Sequence, residues 1–197
     1  ETELILTIQG RNIMKEEQKT VVLSGASRGI GHATVKRFND AGWRVLTCSR
    51  EVFDSRCPWP GGKKNHIQVD LSDPKSTIEA TDEIKDKLDG KLCALINNAG
   101  VSPKLVDGQR LNSLETELKI WHQVFQVNFF APILLAKALK NELERAKGAI
   151  VNVTSIAGSR VHPFAGAAYS TSKSALATLT RDCLLYTSDA ADDPASV

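Results

Sequence analysis

The sequence lacks a long hydrophobic run. No stretch approaches the ~18–20 consecutive apolar residues that a membrane-spanning helix requires. Glu1 and Glu3 are acidic, and no basic segment precedes the short apolar run 4–6, so we predict no signal peptide. We therefore expect neither a membrane-inserted nor an exported protein, and we predict no membrane partner.

Cysteine is also scarce. The chain has 4 cysteines (Cys48, Cys57, Cys93 and Cys183), and their spacing fits neither a metal-ligand motif nor a disulfide framework. Free thiols in a reducing compartment are typical of such a pattern. We therefore predict a cytoplasmic protein without a metal site. We also predict no nucleic-acid partner.

Methionine occurs once, at Met14, shortly before the first predicted strand. A natural start at that position predicts that residues 1–13 are a non-native or disordered extension. From Cys183 onwards the helical pattern that precedes it is interrupted, so we interpret residues 183–197 as a non-native tail. One domain is then expected over residues 14–182.

Strand-like and helix-like segments alternate along this domain, which is typical of an α/β protein with a parallel sheet. Such a fold is a Rossmann-like, doubly wound sheet in three α/β/α layers. Short apolar segments predict five strands, at Thr20–Leu23, Arg44–Cys48, His66–Val69, Leu92–Ile96 and Ala149–Val153. Helical periodicity predicts helices at 29–41, from Pro74 to Leu88, at 115–147 with a kink at Pro132, and at 164–181.

Two of these helices carry an apolar stripe that we expect to pack on the sheet. The first stripe comprises Ile30, Thr34, Phe38 and Ala41, and the second comprises Ile78, Thr81, Ile84 and Leu88. Ser72 or Asp73 is expected to cap the second helix, with Pro74 in its first turn.

The segment Ser24–Gly31 links the first strand to the first helix and has the spacing GxxxGxG. Such a turn directs backbone N–H groups and the positive end of the helix dipole at one point, where a phosphate binds well. The residues that we expect to bind a dinucleotide here are Gly25, Ser27, Arg28, Gly29, Ile30 and Gly31. Glycine spacing alone also occurs in ordinary strand-to-helix loops.

Three further polar groups follow predicted strands, and right-handed crossovers bring such loops to one edge of the sheet. They are Asp70-Leu71, the run Asn97–Gly100, and Ser155 followed by Tyr169 and Lys173. Tyr169 and Lys173 are four residues apart and share a helix face. An ammonium near a phenol lowers the phenol pKa, which makes a tyrosine a usable acid or base near neutral pH.

With these motifs the chain resembles the single-domain branch of the short-chain dehydrogenase/reductase family, over about Thr20–Arg181. The resemblance implies that Tyr169 is the general acid/base and that Lys173 binds the nicotinamide ribose and lowers the tyrosine pKa. It implies that Ser155 positions the substrate oxygen and that Asn128 continues a proton relay through water. It further implies adenine contacts from Asp70 and Leu71, and adenosine contacts from Asn98, Ala99 and Gly100.

The end of the second strand bears on the choice of cofactor. An acidic residue there holds the ribose hydroxyls of NAD. Here Ser49 and Arg50 occupy that end, and no acid occurs before Glu51. Arg28 and Arg50 are suited to clamp a 2′-phosphate, so we predict NADP rather than NAD.

The resemblance predicts an NADP-dependent oxidoreductase that acts on a carbonyl or secondary alcohol, in a parent protein that is a homo-oligomer. Family members continue past the helix of Tyr169 with further strands and a substrate loop, which are not legible here. A catalytically incompetent dinucleotide-binding fragment is therefore the alternative for this chain. The glycine spacing disfavours a nucleotide-sugar epimerase, and the Tyr169–Lys173 pair disfavours a non-enzymatic nucleotide sensor.

Overall fold

The computed structural model describes residues 18–54 and 61–184. Its sheet has five parallel strands in the order β3-β2-β1-β4-β5, so the predicted doubly wound α/β fold is confirmed. The strands are β1 (Thr20–Ser24), β2 (Arg44–Ser49), β3 (His66–Gln68), β4 (Ala94–Asn97) and β5 (Ala149–Asn152). The strand order reverses between β1 and β4, where a doubly wound sheet opens a crevice for a ligand.

Six α-helices cover the sheet within the described residues. They are α1 (Gly29–Asp40), α2 (Pro74–Lys87), α3 (Leu118–Phe125), α4 (Ala131–Ala138), α5 (Lys140–Ala146) and α6 (Ala167–Leu184). Alternate residues of β1 point to opposite faces of the sheet. Val22 joins a buried cluster with Ile84 of α2 and Leu135 of α4, and Val21 joins a second cluster with Val35 of α1. Both faces are therefore packed, which gives the three expected layers.

The packed stripes of α1 and α2 differ from the predicted ones. Ile30 is 67% exposed, whereas Gly31 and Val35 are buried. The stripe of α1 is rotated because Gly31 lies against the preceding turn, and Val35 is one helical turn further on the same face. In α2 the prediction was correct for Thr81, Ile84 and Leu88 but wrong for Ile78, which is 53% exposed. The smaller residues Thr77 and Ala80 line that helix's packed face instead.

The caps of α2 agree with prediction. Asp73 accepts hydrogen bonds from the backbone N–H groups of Lys75 and Ser76, at 3.0 and 3.2 Å. Pro74 is the first helical residue, where its missing N–H costs no hydrogen bond.

The long helix predicted over 115–147 is divided into three. A π-helical turn at Gln126–Phe130 separates α3 from α4, immediately before Pro132, and a second break occurs at Leu139. The expected distortion near Pro132 thus lies on its N-terminal side, and the break at Leu139 had no sequence signal. The helix ends with Lys147 in the left-handed region, at φ 48°.

Element boundaries shift by a few residues elsewhere. Helix α6 begins at Ala167 rather than at residue 164 and continues to Leu184, past the predicted end at Arg181. The loop predicted over 51–64 includes a 3-10 turn at Gly62–Asn65, and its residues 55–60 lie outside the described part. Residues 1–13 and 185–197 also lie outside it, so the interpretation of the two ends stays a prediction.

Two further findings concern the cysteines and the length of the apolar helices. Cys48, Cys93 and Cys183 are free thiols, as predicted, while Cys57 lies outside the described residues. None of the helices in ranges 18–54 and 61–184 is long and apolar enough to cross a membrane.

Candidate functional site

The loops that follow the strands line a cleft of about 440 Å³ at the carboxyl edge of the sheet. This edge is where the crevice of a doubly wound sheet is expected. All of the residues predicted to bind the adenosine and phosphate parts of a dinucleotide line this cleft: Gly25, Ser27, Arg28, Gly29, Ile30, Gly31, Ser49, Arg50, Asp70, Leu71, Asn98, Ala99 and Gly100. The structure therefore brings together four stretches that are far apart in the sequence.

The glycine turn needs glycine for two different reasons. Gly25 and Gly29 have φ values of 72° and 56°, a region that residues with a Cβ rarely adopt. Gly31 has no such angle but is buried, and a Cβ there would overlap the carbonyl oxygen of Gly25 and approach the Asn98 Nδ2 atom to 2.6 Å. The turn is thus held tightly against the loop after β4, and its outer side faces the cleft.

Ser24 and Asn98 fasten this turn to the neighbouring strand. The Ser24 hydroxyl oxygen accepts hydrogen bonds from the backbone N–H groups of Asn98 and Ala99, each at 3.2 Å. The Asn98 side chain in turn donates to the carbonyl oxygens of Ser24 and Gly25, at 3.1 and 2.9 Å. The amide of Asn98 is therefore a support for the phosphate-facing turn, in addition to lining the cleft.

The first turn of α1 is open towards the cleft. Among the described residues, no side chain caps its N-terminus and no acidic residue stands in its first turn. The backbone N–H groups at that end have no intrahelical partner, and the helix dipole makes the end positive. With the exposed Arg28 beside it, this end is suited to an anionic group such as a pyrophosphate.

A second cleft of about 580 Å³ adjoins the first. Ser155, Tyr169 and Lys173 line it, so the structure brings these three predicted catalytic residues together. Four residues line both clefts: Arg28, Ile30, Asn98 and Gly100. A ligand that occupies both clefts would therefore extend from the glycine turn to Tyr169.

Lys173 is buried beneath this second cleft, with only 2% of its surface exposed. Its Nζ atom donates a hydrogen bond to the carbonyl oxygen of Val153 at 2.7 Å. Burial lowers the pKa of Lys173 from 10.5 to about 8, because a low-dielectric environment disfavours the charged amine. The ammonium form still predominates at pH 7, and it is anchored one helical turn from Tyr169.

Ser155 begins a short 3-10 turn at Ile156–Gly158. Its hydroxyl oxygen accepts a hydrogen bond from the Ala157 backbone N–H at 3.2 Å. A hydroxyl group that accepts one hydrogen bond keeps its own O–H as a donor. Ser155 is thereby oriented at the rim of the second cleft with a donor for a substrate oxygen.

Asn128 lies outside both sets of cleft-lining residues, within the π-helical turn and fully buried. Its side chain accepts a hydrogen bond from the Val101 N–H at 2.8 Å and donates to the Val101 carbonyl and the Ser172 hydroxyl, each at 3.0 Å. The π-helical turn distorts the helix at this residue. The carboxamide itself is committed to these structural contacts.

Gly100 connects Asn128 to the second cleft. A Cβ at Gly100 would lie 3.5 Å from both the Asn128 Oδ1 and the Lys173 Nζ atoms. These three residues therefore converge on one place, between the β4 loop and α6.

Charged groups line the adenosine end of the first cleft. Arg50 and Glu51 are adjacent, exposed and both on its lining. Hydrogen bonds from the Ser72 backbone and hydroxyl lower the pKa of Asp70, and the positive charge of Arg50 contributes to the same effect. Asp70 is thus held as a carboxylate, 2.9 Å from the Ser72 nitrogen. The leucine predicted beside it, Leu71, is 94% buried and forms part of the cleft wall.

Sequence reasoning missed several residues that hold the site. Val101 and Ser172 pair with Asn128, and Asn152 links Asn97 at 2.8 Å to Thr180 at 2.9 Å. Their partners are distant in the chain, so no local pattern reveals them. Ser24 had a detectable signal, since it is the polar residue that ends β1 immediately before the glycine turn.

His162 and Phe164 line the second cleft. Their rings are 5.9 Å apart in an edge-to-face arrangement. Lys104 and Arg110 hold this loop, since they donate hydrogen bonds to the carbonyl oxygens of Phe164 and His162 respectively.

Comparison with known proteins gives the same picture. Residues 19–187 match the family described as short chain dehydrogenase. The protein FixR of Bradyrhizobium diazoefficiens is 58% identical over 168 residues, which are 84% of this chain and 60% of FixR. The NADPH-dependent 1-acyldihydroxyacetone phosphate reductase of Schizosaccharomyces pombe is 34% identical over 82% of this chain and 52% of its own length.

A solved structure agrees at the level of the fold. An oxidoreductase of the short chain dehydrogenase/reductase family from Brucella ovis, in complex with a partially ordered NAD, is 61% identical, with a TM-score of 0.84 over 88% of this chain and 79% of that one. The chain thus spans less than two thirds of the length of the two curated relatives named above. On the family match over residues 19–187, the chain belongs to the short-chain dehydrogenase/reductase family.

Proposed function

We propose that the protein to which this chain belongs transfers a hydride between NADP(H) and a carbonyl or secondary alcohol, with Tyr169 as the general acid/base. One observation carries the proposal: the cleft at the glycine turn and the cleft at Tyr169 share Arg28, Ile30, Asn98 and Gly100. A ligand long enough to reach from one to the other has its two ends at a phosphate-binding turn and at a Tyr–Lys pair.

The residues present fit a nicotinamide dinucleotide. The glycine turn leaves room for close approach of a pyrophosphate, since Gly25 and Gly31 lack the Cβ atoms that would displace its support. The uncapped N-terminus of α1 and the Arg28 side chain supply positive charge for the pyrophosphate. When bound, the nicotinamide ring supplies or accepts the hydride.

The chain's own residues handle the proton. Tyr169 gives a proton to a carbonyl oxygen in reduction and takes it from a hydroxyl in oxidation. The buried Lys173 lies one helical turn along α6 from that tyrosine and lines the same cleft. Ser155 holds the substrate oxygen through its free O–H, as an oxyanion donor does.

Asn128 is proposed to act through the backbone. Because its carboxamide is occupied by Val101 and Ser172, a proton relay to water runs through the main-chain carbonyl of the π-helical turn. Such turns leave backbone carbonyls without a regular helical partner and recur at functional sites.

We propose NADP as the preferred cofactor. Arg28 and Arg50 both line the first cleft and are exposed to a ligand there. A 2′-phosphate gains charge-assisted hydrogen bonds from two guanidinium groups, whereas an unmodified ribose does not. Two of the similar proteins differ in their cofactor: the Schizosaccharomyces pombe reductase is NADPH-dependent, whereas the Brucella ovis structure contains NAD.

The reaction is tested with the full-length parent protein and a panel of carbonyl substrates, by following NADPH absorbance. Tyr169→Phe is expected to remove nearly all turnover while it leaves NADPH binding unchanged. Ser174→Ala, at an exposed position on the same helix, is the control. Wild-type turnover by Tyr169→Phe on a true substrate would show that the assignment is wrong.

For the 197-residue chain alone, dinucleotide binding without turnover is a second candidate. Within the described sheet β5 is an edge strand, and its Ile150 and Val151 are 43% and 47% exposed. The helix that carries Tyr169 packs beside this incomplete edge. Binding of NADPH with no oxidation by any member of the panel distinguishes this candidate from the first.

A further inference from the structure

Two residues of opposite charge compete for one place in the dinucleotide cleft. Arg50 and Glu51 directly follow β2, and both line the first cleft. A cation at this position attracts a 2′-phosphate, while a carboxylate repels it and accepts hydrogen bonds from ribose hydroxyls. The orientation of the peptide that joins the two residues therefore bears directly on cofactor choice.

Hydrogen bonds from side chains fix this peptide and the one that follows it. The Gln68 side-chain nitrogen donates to the Arg50 carbonyl oxygen at 2.9 Å. The His66 Nε2 atom is 2.9 Å from the Glu51 carbonyl oxygen, which also accepts from the Ser49 hydroxyl at 3.0 Å. Two consecutive carbonyl groups are thus held by three side chains, two of which come from the adjacent strand β3.

His66 is itself held on both sides. Its Nδ1 atom is 2.9 Å from the Thr47 hydroxyl, and its ring lies 5.9 Å from that of Phe53. Because the Glu51 carbonyl only accepts hydrogen bonds, Nε2 is the donor to it, while Nδ1 pairs with the Thr47 hydroxyl. Phe53 also packs against Gly62, where a Cβ would approach its ring to 2.7 Å.

We propose that His66 and Gln68 are positioning residues for cofactor discrimination: they orient the Arg50–Glu51 peptide so that Arg50, and not Glu51, faces the 2′ position of the bound dinucleotide. The proposal rests on the NADP preference proposed above. Arg50 and Asp70 both line this cleft, and the exposed Arg50 side chain is open to a ligand there.

This arrangement predicts which affinity changes when the contacts are lost. A released peptide rotates and lets the Glu51 carboxylate reach the ribose. NADP⁺ then loses a cationic contact and meets an anion, while NAD⁺ gains an acceptor for its hydroxyl groups. Loss of the His66 and Gln68 side-chain contacts should therefore weaken the binding of NADP⁺ and leave the binding of NAD⁺ equal or stronger. A general loss of structure would weaken the binding of both.

The experiment titrates NADP⁺ and NAD⁺, which differ only by the 2′-phosphate, into variants of the full-length parent by calorimetry. His66→Phe keeps the ring against Phe53 and removes both nitrogens, and Gln68→Met keeps the length of an exposed side chain and removes the donor. The double variant should lower the NADP⁺/NAD⁺ affinity ratio about tenfold or more, the effect of losing one good charged contact.

Two further variants complete the test. His66→Gln retains a donor that can reach the Glu51 carbonyl and should restore most of the ratio. His122→Phe changes an exposed histidine outside both clefts and should leave the ratio unchanged. Retained NAD⁺ binding reports that the double variant is folded at the site.

The outcomes separate this inference from the proposed function. If wild type prefers NADP⁺ and the double variant keeps that preference, the positioning role is wrong and the NADP assignment stands. If wild type binds both cofactors equally, the NADP assignment is wrong and the positioning role falls with it.

Discussion

Asn128 and Val101 form a closed hydrogen-bonded pair in the interior of the protein. The Asn128 carboxamide accepts from the Val101 N–H at 2.8 Å and donates to the Val101 carbonyl at 3.0 Å. One side chain therefore satisfies both backbone groups of a loop residue, and a third bond ties the same side chain to Ser172 of α6. The pair joins the β4 loop, the π-helical turn and the helix that carries Tyr169.

Asn128→Asp is expected to destabilise the protein. The substitution replaces the amide donor by a carboxylate oxygen, which repels the Val101 carbonyl oxygen. It also places a negative charge in the interior of the protein. Removing one partner of a buried hydrogen bond costs about 1–3 kcal/mol, and more when a charge is buried. Urea unfolding followed by circular dichroism measures the change. Asn141→Asp, at an exposed position on α5, is the matched control, and equal losses in the two variants would contradict the prediction.

Gly31→Ala is expected to abolish dinucleotide binding. The new Cβ would overlap the Gly25 carbonyl and press on Asn98, so the turn must open. At Gly29 the nearest atoms are more than 4 Å from such a Cβ, and only the positive φ restricts the residue. Asparagine tolerates that region best among ordinary residues, so Gly29→Asn should retain binding. Calorimetric titration with NADP⁺ distinguishes the two, and similar affinities would count against the steric argument.

Removing Arg28 and Arg50 together is expected to erase the preference for NADP⁺. Each good charge-assisted contact to the 2′-phosphate contributes on the order of 1.5–3 kcal/mol. The double variant Arg28→Ala/Arg50→Ala should therefore lower the NADP⁺/NAD⁺ affinity ratio at least about tenfold, since a lost pyrophosphate contact weakens both cofactors alike. Arg37→Ala, on α1 but outside the cleft lining, controls for the loss of positive charge. An equal affinity of the wild type for both cofactors would disprove the preference.

Lys173 should make stability rise with pH in an alkaline window. Its pKa is lowered from 10.5 to about 8 by burial, so between these values the folded state binds fewer protons than the unfolded state. The free energy of unfolding then increases with pH through this window. The full difference is about 3 kcal/mol, at about 1.4 kcal/mol per pKa unit. Below pH 8 the free energy of unfolding carries the full cost of burying the Lys173 ammonium charge.

The measurement compares wild type with Lys173→Met from pH 7 to pH 10.5 by chemical denaturation. The difference between the two free energies of unfolding should change by about that amount, because other titrating groups cancel in the comparison. Parallel curves would show that Lys173 keeps an ordinary pKa.

The exposed edge of β5 is expected to make the 197-residue chain self-associate. The strand Ala149–Asn152 is apolar and β-branched, and it carries neither a charge nor a proline to block pairing. Val151→Lys places a charge at a position that is 47% exposed and should shift the chain towards monomer. Light scattering after size exclusion measures the mass. A monodisperse monomeric wild type would contradict this expectation.

Most of the fold was predictable because it depends on local signals. Hydrophobic runs located all five strands, and the turn and cap residues located the starts of α1 and α2. The sides of α1 and α2 were less predictable, since Ile30 and Ile78 carry the correct hydrophobicity but face outwards. The close approach of Gly31 to Gly25 decides the orientation of α1, and that contact exists only in the folded chain.

The site was predictable in part for the same reason. Ser155, Tyr169 and Lys173 were located by their order after the strands, and they line one cleft. The side-chain commitments of Asn128 were not foreseen, because Val101 and Ser172 are 27 and 44 residues away in the sequence. The hydrogen bonds from β3 to the carbonyl groups of Arg50 and Glu51 could not be predicted either. Gln68 is an exposed residue, and its contact with Arg50 follows only from the parallel pairing of β2 and β3.

The hydrogen bond from Lys173 to the Val153 carbonyl links α6 to the residue that follows β5, an edge strand of the described sheet. Edge strands open more readily than interior ones, through local unfolding that leaves the remainder of a domain intact. A molecule in which β5 has detached loses the anchor of its lysine, while the glycine turn on β1 stays supported by β2 and β4. Proton transfer and dinucleotide binding should therefore fail at different denaturant concentrations, with catalysis failing first.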